Sequence, residues 1–549
     1  MQTKYLPWLR GSLERCNAVR SRDGVVMGIL LVLAAATQGV AQETPAARGP
    51  IELSVERAVE MAMDDSYQVR RVRLNIERTR QLLRAEQAGL RSRVYVDFSL
   101  PEFEQISEER WNAERGINEI VGENSRRWQM DFSVEQPLIL LGYPTNGYLS
   151  LNNRVYRYTQ IDDDERDLRY YNRYFIRYRQ PLFQPNELKN DIEEAELDLL
   201  DAELDFQGDA IRIIEDTSED YYELLELAYE ELIYQALVEN LEQAQAAATQ
   251  RAAADSSRVI DASQAQVALS NARSRLQQAR SDFRLETSTI KPDLGLAASD
   301  SIVIRPVLEI TPVTVDVQRA IELGVTLRPQ LRMLEIERRQ NEIDYENVRG
   351  RNSFRLDVEL TYGREMQDPR FGQLMSDPRN SYTFGVRGSL PIWDWGERRA
   401  RIEAERLVLA RTDLSIEETR EEIQIGINNT VRNLEEYLDR AQSMEENLEL
   451  AEQISQQSLA QYREGSISIQ DLLQSYERQE STALNFLAAY IGYRDAILEL
   501  QRMTYYDFEN QIPVLERFGV ETGEPGGAVS GPSAGLETAP PIRKDPADG

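Results

Sequence analysis

Two long stretches of this chain repeat their apolar positions with a period near seven. In residues 397–460, Ile402, Leu409, Ile416, Ile423, Thr430, Tyr437 and Met444 fall seven apart, and neither this stretch nor 187–245 contains a proline. A heptad sustained this far predicts helices packed as in a coiled coil. At 1.5 Å per residue, 397–460 alone would run about 95 Å. Its start has a signal in Asp394 and Glu397, a capping-box spacing just after Pro391. The pattern breaks near Gly465 and Ser466 and resumes as two neighbouring rows. One is Ile469, Tyr476, Ala483, Tyr490 and Ile497; the other is Leu472, Gln479, Phe486, Tyr493 and Leu500. Each long stretch therefore ends in an antiparallel helical hairpin, with tips near 252–258 and 463–468. Residues 52–91 also read as helix, with Ala58, Val59, Ala62 and Met63 on one face. Helices of this kind carry an apolar stripe that needs partner helices.

Between the helices the period changes to two. Val94, Val96, Phe98 and Leu100 alternate with Tyr95, Asp97 and Ser99. Phe354, Leu356, Val358, Leu360 and Tyr362 alternate with Arg355, Asp357, Glu359 and Thr361, and Tyr382, Phe384 and Val386 with Thr383 and Arg387. Strict alternation with charges on one side predicts strands with one apolar face. Strands are expected at about 92–100, 168–180, 353–362 and 381–390. Each is long enough to cross a bilayer when tilted. Tyrosines crowd the region from Tyr143 to Tyr178, and Trp128, Trp393 and Trp395 sit near strand ends. With Tyr174, Tyr178 and Tyr382 they are candidates for the aromatic girdle of a membrane barrel.

The chain also repeats itself. Val55-Glu-Arg-Ala-Val-Glu-Met-Ala62 returns as Val317-Gln-Arg-Ala-Ile-Glu-Leu-Gly324, and Gln180-Pro181-Leu182-Phe183 as Leu390-Pro391-Ile392-Trp393. Ile192, Leu199, Phe206 and Ile213 fall on Ile402, Leu409, Ile416 and Ile423, and Asp261 falls on Asp471. A repeat of this size describes an architecture. The first copy spans 52–285, with a helical hairpin at 187–285. The second spans 317–505, with a hairpin at 397–503. Residues 286–316 read as a linker, and 521–549, rich in Gly, Pro and Ala, as a disordered tail. The first copy carries an insertion at about 101–167. In it Trp128, Met130, Phe132 and Val134 alternate with Gln129, Asp131, Ser133 and Glu135. It could be an external hairpin or two additional barrel strands, and the external hairpin is the favoured expectation.

Composition narrows the function. Of 549 residues 29 % are charged, and the net charge of −31 excludes nucleic acid as a partner, since nothing would neutralise phosphates. There is no histidine, and the single cysteine is Cys16. Histidine-based catalysis and metal sites are excluded, and neither an enzyme, a cofactor nor a metal is expected. Lys4, Arg10, Arg15, Arg20 and Arg22 precede an apolar run from Val25 to Ala36 and the small residues Gly39-Val40-Ala41. Residues 1–41 read as an export signal. Cys16 precedes the apolar run, so it is not placed as a lipid anchor. No other segment has the apolar length of a spanning helix; a membrane crossing must be made of strands. Four strands leave two open edges, which lipid does not tolerate, so closure must come from copies of the chain around an axis. Polar inner faces would then line a water-filled conduit. The rival is a structural periplasmic coiled coil without channel activity, which has no need of amphipathic strands with aromatic ends.

The order helix, strand pair, long helix, tip and helix, repeated twice behind a signal, resembles the outer-membrane efflux protein (TolC) family. Three stretches carry the resemblance. They are Leu390-Pro-Ile-Trp-Asp-Trp-Gly-Glu-Arg-Arg-Ala-Arg-Ile402, Tyr462-Arg-Glu-Gly-Ser-Ile-Ser-Ile-Gln-Asp-Leu-Leu473, and the twin starts at 55–62 and 317–324. The resemblance implies a mainly α fold with a transmembrane β-barrel, formed by a homotrimer with four strands per subunit and continued by a periplasmic α-helical tunnel. It implies an exit duct in the cell outer membrane, contacting lipid and serving a tripartite efflux or type I secretion system. Its partners would be a periplasmic adaptor protein and an inner-membrane pump or secretion transporter. It further implies that Asp261 and Asp471 form an acidic gate, and that Asp255, Ser256, Gly465 and Ser466 lie at tips that dock the adaptor. Like charges brought together this way raise one another's pKa and attract cations. Asp471 also fits a local role, because Ser468 and Asp471 have capping-box spacing; Asp261 fits a first-turn acid. Two departures stand out: Asp255 occupies the first tip where the second has Gly465, and Arg502-Met-Thr-Tyr-Tyr506 lacks the family's usual glycine.

Overall fold

The computed structural model describes residues 50–520 apart from 113–114, 163–164 and 352. The expected signal at 1–41, with Cys16, and the expected tail at 521–549 lie outside the described residues. The first copy runs β1 (Ile51–Leu53), α1 (Val55–Asp65), α2 (Tyr67–Gly89), β2 (Arg93–Asn112), β3 (Ile117–Leu140), β4 (Tyr143–Asp162), β5 (Glu165–Leu182), α3 (Glu187–Ala254) and α4 (Val259–Thr289). After β6 (Ile302–Ile304) the second runs α5 (Val317–Leu327), α6 (Pro329–Arg351), β7 (Arg355–Asp368), β8 (Arg379–Ser389), α7 (Glu397–Glu464) and α8 (Ile469–Thr504). A short end piece follows: β9 (Tyr506–Asp507), β10 (Ile512–Pro513) and α9 (Val514–Arg517).

The duplication is written in the helix lengths. α1 and α5 have 11 residues each, α2 and α6 have 23, and α3 and α7 have 68. A helix of 68 residues is about 100 Å long. Residues 52–91, expected as one helix, are two. Ser66 is buried and extended, and its hydroxyl accepts the Val69 N–H at 3.2 Å, so it caps α2 and ends α1. In the second copy Pro329 makes the same break, because a proline lacks the N–H and forces the residue before it out of the helical region. The linker also holds structure: β6 pairs in parallel with β1, Ile51 opposite Ile302 and Leu53 opposite Ile304.

The start of α7 keeps one half of its expected cap. Asp394 accepts the N–H groups of Gly396 and Arg398, both at 3.0 Å, and its carboxyl is held below the usual range by those two bonds. Gly396, at φ 88°, is the residue that enters the helix, and Glu397 turns away to pair with Arg401. At the other end α8 stops at Tyr505 with φ 56°, so a tyrosine adopts the left-handed conformation that glycine ordinarily supplies.

Packing follows the rows. In α8, Ile469, Tyr476, Ala483, Tyr490 and Ile497 are all buried, as are Leu472, Phe486, Tyr493 and Leu500. Two rows are covered because α8 has α7 on one side and α3 on the other. Near the sheet, α3 and α7 are flanked by α2 and α6; beyond the midpoint they are flanked by α4 and α8. The chain thus presents four helices at either height. α1 and α5 pack against the middles of α3 and α7, Ala58 and Val59 in one core and Ala320 in the other. Gly324 is required there, since a Cβ would lie 2.4 Å from Ile427 Cδ1 and 3.1 Å from the Met503 carbonyl. The end piece folds back on this level. Arg494 donates to Tyr222 and Glu509 at 2.8 Å each, and the buried Asp507 accepts from Glu509 N, Asn510 N and Arg517.

Gly324→Val forces side-chain bulk into this contact and should cost about 1–3 kcal/mol. Thermal unfolding followed by helical circular dichroism reads the loss; an unchanged midpoint would contradict the packing. The same level holds carboxyls with raised pKa. Burial pushes Glu215 to about 7 against the pull of Arg502, with Glu219, Glu499 and Asp216 adding to the rise. Burial pushes Asp220 to about 6, assisted by Asp293, Glu286, Asp216 and Glu223. Between the unfolded values and these, the folded chain holds protons that the unfolded chain has released. Stability is therefore greater near pH 5 and falls as pH rises through about 6 and about 7. Glu215→Gln should flatten the upper part of that profile, measured as unfolding midpoint against pH.

Candidate conduit and its entrance

All six long strands form one antiparallel sheet in the order β2-β3-β4-β5-β7-β8. The favoured reading of the insertion as an external hairpin is thereby corrected. β3 and β4 lie between β2 and β5 and carry the sheet's own two-faced pattern. The register places Val94, Val134, Leu151, Ile176, Tyr362 and Tyr382 side by side across the six strands. Phe98, Met130 and Val155 extend this face on one side, Leu149, Tyr178, Leu360 and Phe384 on the other. Much of it is open: Phe98 is 76 % exposed, Tyr382 83 % and Phe384 67 %. On β7 the outward positions from Leu356 to Met366, interrupted by Arg364, cover about 34 Å of strand, or about 26 Å when tilted by 40°. That is the height of the apolar band of a transmembrane barrel.

The opposite face has a row made wholly of charges: Asp97, Asp131, Arg154, Arg173, Glu365 and Arg379. Its inner members pair across strands. Arg154 meets Asp131 at 2.7 Å, and Arg173 meets Glu365 at 3.0 Å. Nearer the helices Arg177 meets Glu359 at 3.2 Å and Arg179 meets Asp357 at 3.8 Å. Phe175 lies on this face between Arg173 and Arg177, both over its ring, and covers Gly363, where a Cβ would meet the Tyr174 carbonyl at 2.4 Å. Such a sheet can separate lipid from water.

The aromatic candidates fall in two places. Trp128 stands midway along β3, opposite Arg157, one strand from Tyr170 and level with Asp368 at the end of β7, and Trp393 and Trp395 lie past β8 beside the start of α7. The last two stack edge to face at 5.5 Å and are 75 % and 91 % exposed. Tyr174, Tyr178 and Tyr382 stand in the middle rows of the apolar face. The loop between β7 and β8 covers the polar interruption there. Phe371 packs on Tyr170 at 5.4 Å, and Met375 Sδ accepts from Asn172 and Tyr174.

At the other end of the helices the two tips differ. α7 ends on Gly465 at φ 88°, with the Ser466 N–H returning to the Gln461 carbonyl at 2.9 Å. α3 ends on Asp255, whose carboxylate accepts the Ser257 N–H at 3.0 Å and hydroxyl at 2.7 Å. Those bonds hold the Asp255 carboxyl below its usual range. Ser256 opens the short 3-10 turn at Ser256–Arg258 that follows. Arg251 joins the tips: it donates to the Tyr462 carbonyl at 2.7 Å and lies over the Tyr462 ring at 4.7 Å. A cation is thereby set on the last carbonyls of α7, where the helix dipole is negative.

Asp261 and Asp471 each have a local partner. Asp471 completes a capping box, accepting from Ser468 N at 3.1 Å and from its hydroxyl at 2.7 Å, which lowers its pKa. Asp261 lies 3.8 Å from Arg258, which also reaches Asp255 at 3.7 Å. Asp261 raises the pKa of Tyr462, after burial the largest cause of that shift. Arg251 and Tyr462 escaped the sequence reading as a pair, because nothing in their spacing shows that two hairpins meet. Among the described residues no cluster of His, Cys, Asp and Glu has the arrangement of a metal site, and no helix is long and apolar enough to cross a membrane.

Residues 323–504 match the family described as outer membrane efflux protein. No curated protein matches the chain. Among solved structures, CusC, studied for its folding and transmembrane channel formation, is 14 % identical with a TM-score of 0.61, over 83 % of this chain and 92 % of that one. The Campylobacter jejuni CmeC outer membrane channel is 13 % identical with a TM-score of 0.58, over 84 % and 89 %. The open-state MtrE outer membrane channel of Neisseria gonorrhoeae is 12 % identical with a TM-score of 0.56, over 84 % and 94 %. The resemblance read from 390–402 and 462–473 is borne out: the second repeat matches the outer membrane efflux protein family, and the chain carries the fold of outer-membrane channels.

Proposed function

We propose that this protein is the outer-membrane exit duct of a tripartite efflux or type I secretion system, with a long periplasmic part. The observation that carries the reading is the six-stranded sheet, apolar on one face and charged on the other, running into helices of 68 residues. The family match over 323–504 supports it. Substrate would pass along the charged face and the helical wall, driven by an inner-membrane pump.

The duct is a homotrimer in this reading. A single chain leaves apolar residues open along the helices: Leu407, Leu414 and Ile425 on α7 are 62 %, 64 % and 61 % exposed, and Val267 and Leu285 on α4 are 61 % and 67 %. Exposed stripes of this kind call for neighbouring helices. The tips at Asp255, Ser256, Gly465 and Ser466 then dock a periplasmic adaptor. Their different caps give the two hairpins different contact surfaces. Threefold symmetry brings the carboxylates of Asp261 and Asp471 to one narrow entrance, where they attract cations. A structural rod without channel activity would leave the two faces of the sheet without purpose.

The full chain in planar lipid bilayers should give discrete conductance steps that divalent cations block. Asp261→Asn combined with Asp471→Asn should weaken that block roughly tenfold or more, while the helix content stays unchanged. Conductance without cation sensitivity in the parent would remove the gate; absence of any conductance would remove the duct.

A further inference from the structure

Strand number and tilt together set the width of a β-barrel. Six strands, not four, run in one sheet, and both outer strands have an unpaired edge. Six is even, so β2 and β8 run in opposite directions, and an antiparallel ladder between β8 of one copy and β2 of the next can close the ring. We propose that these two edges pair between copies and that three chains close an eighteen-stranded barrel, an inference that rests on the trimeric duct proposed above.

Three observations single out a second copy as the occupant of each edge. Both edges are apolar on the face that continues the lipid-facing band, Val94, Val96 and Phe98 on β2 and Tyr382, Phe384 and Val386 on β8, all exposed. A soluble partner strand would leave that band in water. The charged face is complementary across the gap. Its interior members are paired, but among the described residues Asp97 on β2 forms no ion pair, nor do Arg379 and Arg387 on β8. Asp97, which shares its face of β2 with the equally unpaired Arg93, is available to an arginine of β8 in the next copy. Finally, β2 pairs in register from Arg93 to Ser99, shifts once before Glu102 and continues to Asn112, so its edge is long enough to take the whole of β8.

Geometry favours the same count. Strands 4.8 Å apart and tilted by 40° give a barrel about 36 Å across for eighteen strands and about 24 Å for twelve. Three chains with four helices at each height give twelve helices, a ring about 34 Å across at a spacing of about 9 Å. At that tilt eighteen strands continue the helical wall at nearly constant width, whereas twelve would need a steeper tilt to do so.

The experiment uses the full chain in isolated outer membranes, in a Cys16→Ser background. One cysteine replaces Tyr95, Asp97 or Ser99 on β2, and a second replaces Thr383, Gly385 or Arg387 on β8. After oxidation, at least one of these pairs should give covalent trimers on a non-reducing gel, while either cysteine alone gives none. In parallel, sedimentation of the detergent-solubilised protein reports whether trimers exist, whatever their strand pairing. Electron microscopy then measures the barrel, expected at about 36 Å, and at about 24 Å once residues 113–164 are replaced by a short glycine turn that joins β2 directly to β5. Trimers by sedimentation without any β2–β8 cross-link, or a parent barrel near 24 Å, overturn the eighteen-stranded barrel and leave the duct standing. Absence of trimers from the outer membrane overturns both.

Discussion

A strand placed in lipid has no water to satisfy its amide and carbonyl groups, so a ladder there must end on another ladder. That constraint orders the rest of this molecule. It explains why the sheet has two unlike faces, with a row of six apolar residues from Val94 to Tyr382 and a row of six charged ones from Asp97 to Arg379. It explains why the chain is unfinished alone, with open edges at β2 and β8. It also fixes the direction of the helices, because each strand pair must return to the same side of the membrane before α3 or α7 can begin.

The two copies answer this constraint with the same helices and different details. Helix lengths agree at 11, 23 and 68 residues, since these set the height of a shared wall. The ends are where they diverge. One tip turns on a glycine, the other on an aspartate whose carboxylate holds the next turn, and Arg251 ties them together through Tyr462. At the membrane end the first copy has two more strands than the second. A duplication preserved in the middle and altered at both ends separates what must be common, the tunnel wall, from what meets different surroundings.

Much of this was legible in the chain. The heptad rows of α7 and α8, the twin starts at 55 and 317, and the alternation in β2, β7 and β8 each depend on neighbours close in sequence, and each survives in the structure. What was hidden depends on partners far away. In β4, tyrosines stand on both faces, and Asn153 and Arg157 interrupt the apolar side, so its parity shows only once β3 and β5 are set beside it. Three-residue β6 carries no signal of its own; it is a strand because β1 lies next to it. Ser66 looks like a surface serine until its hydroxyl is found capping α2. Asp261 and Asp471 were legible as acids near the tips, and so was the capping-box spacing of Asp471 with Ser468, but not the contact of Asp261 with Arg258.

The central claim is that the sheet divides lipid from water, one face to each. Single nitroxide labels at Arg173, Tyr174, Phe175, Ile176, Arg177 and Tyr178 of β5, in the protein reconstituted into bilayers, test it most directly. Collision with oxygen, which concentrates in lipid, should peak at 174, 176 and 178, and collision with a water-soluble nickel chelate at 173, 175 and 177. Equal access of the nickel reagent to all six positions would contradict the account.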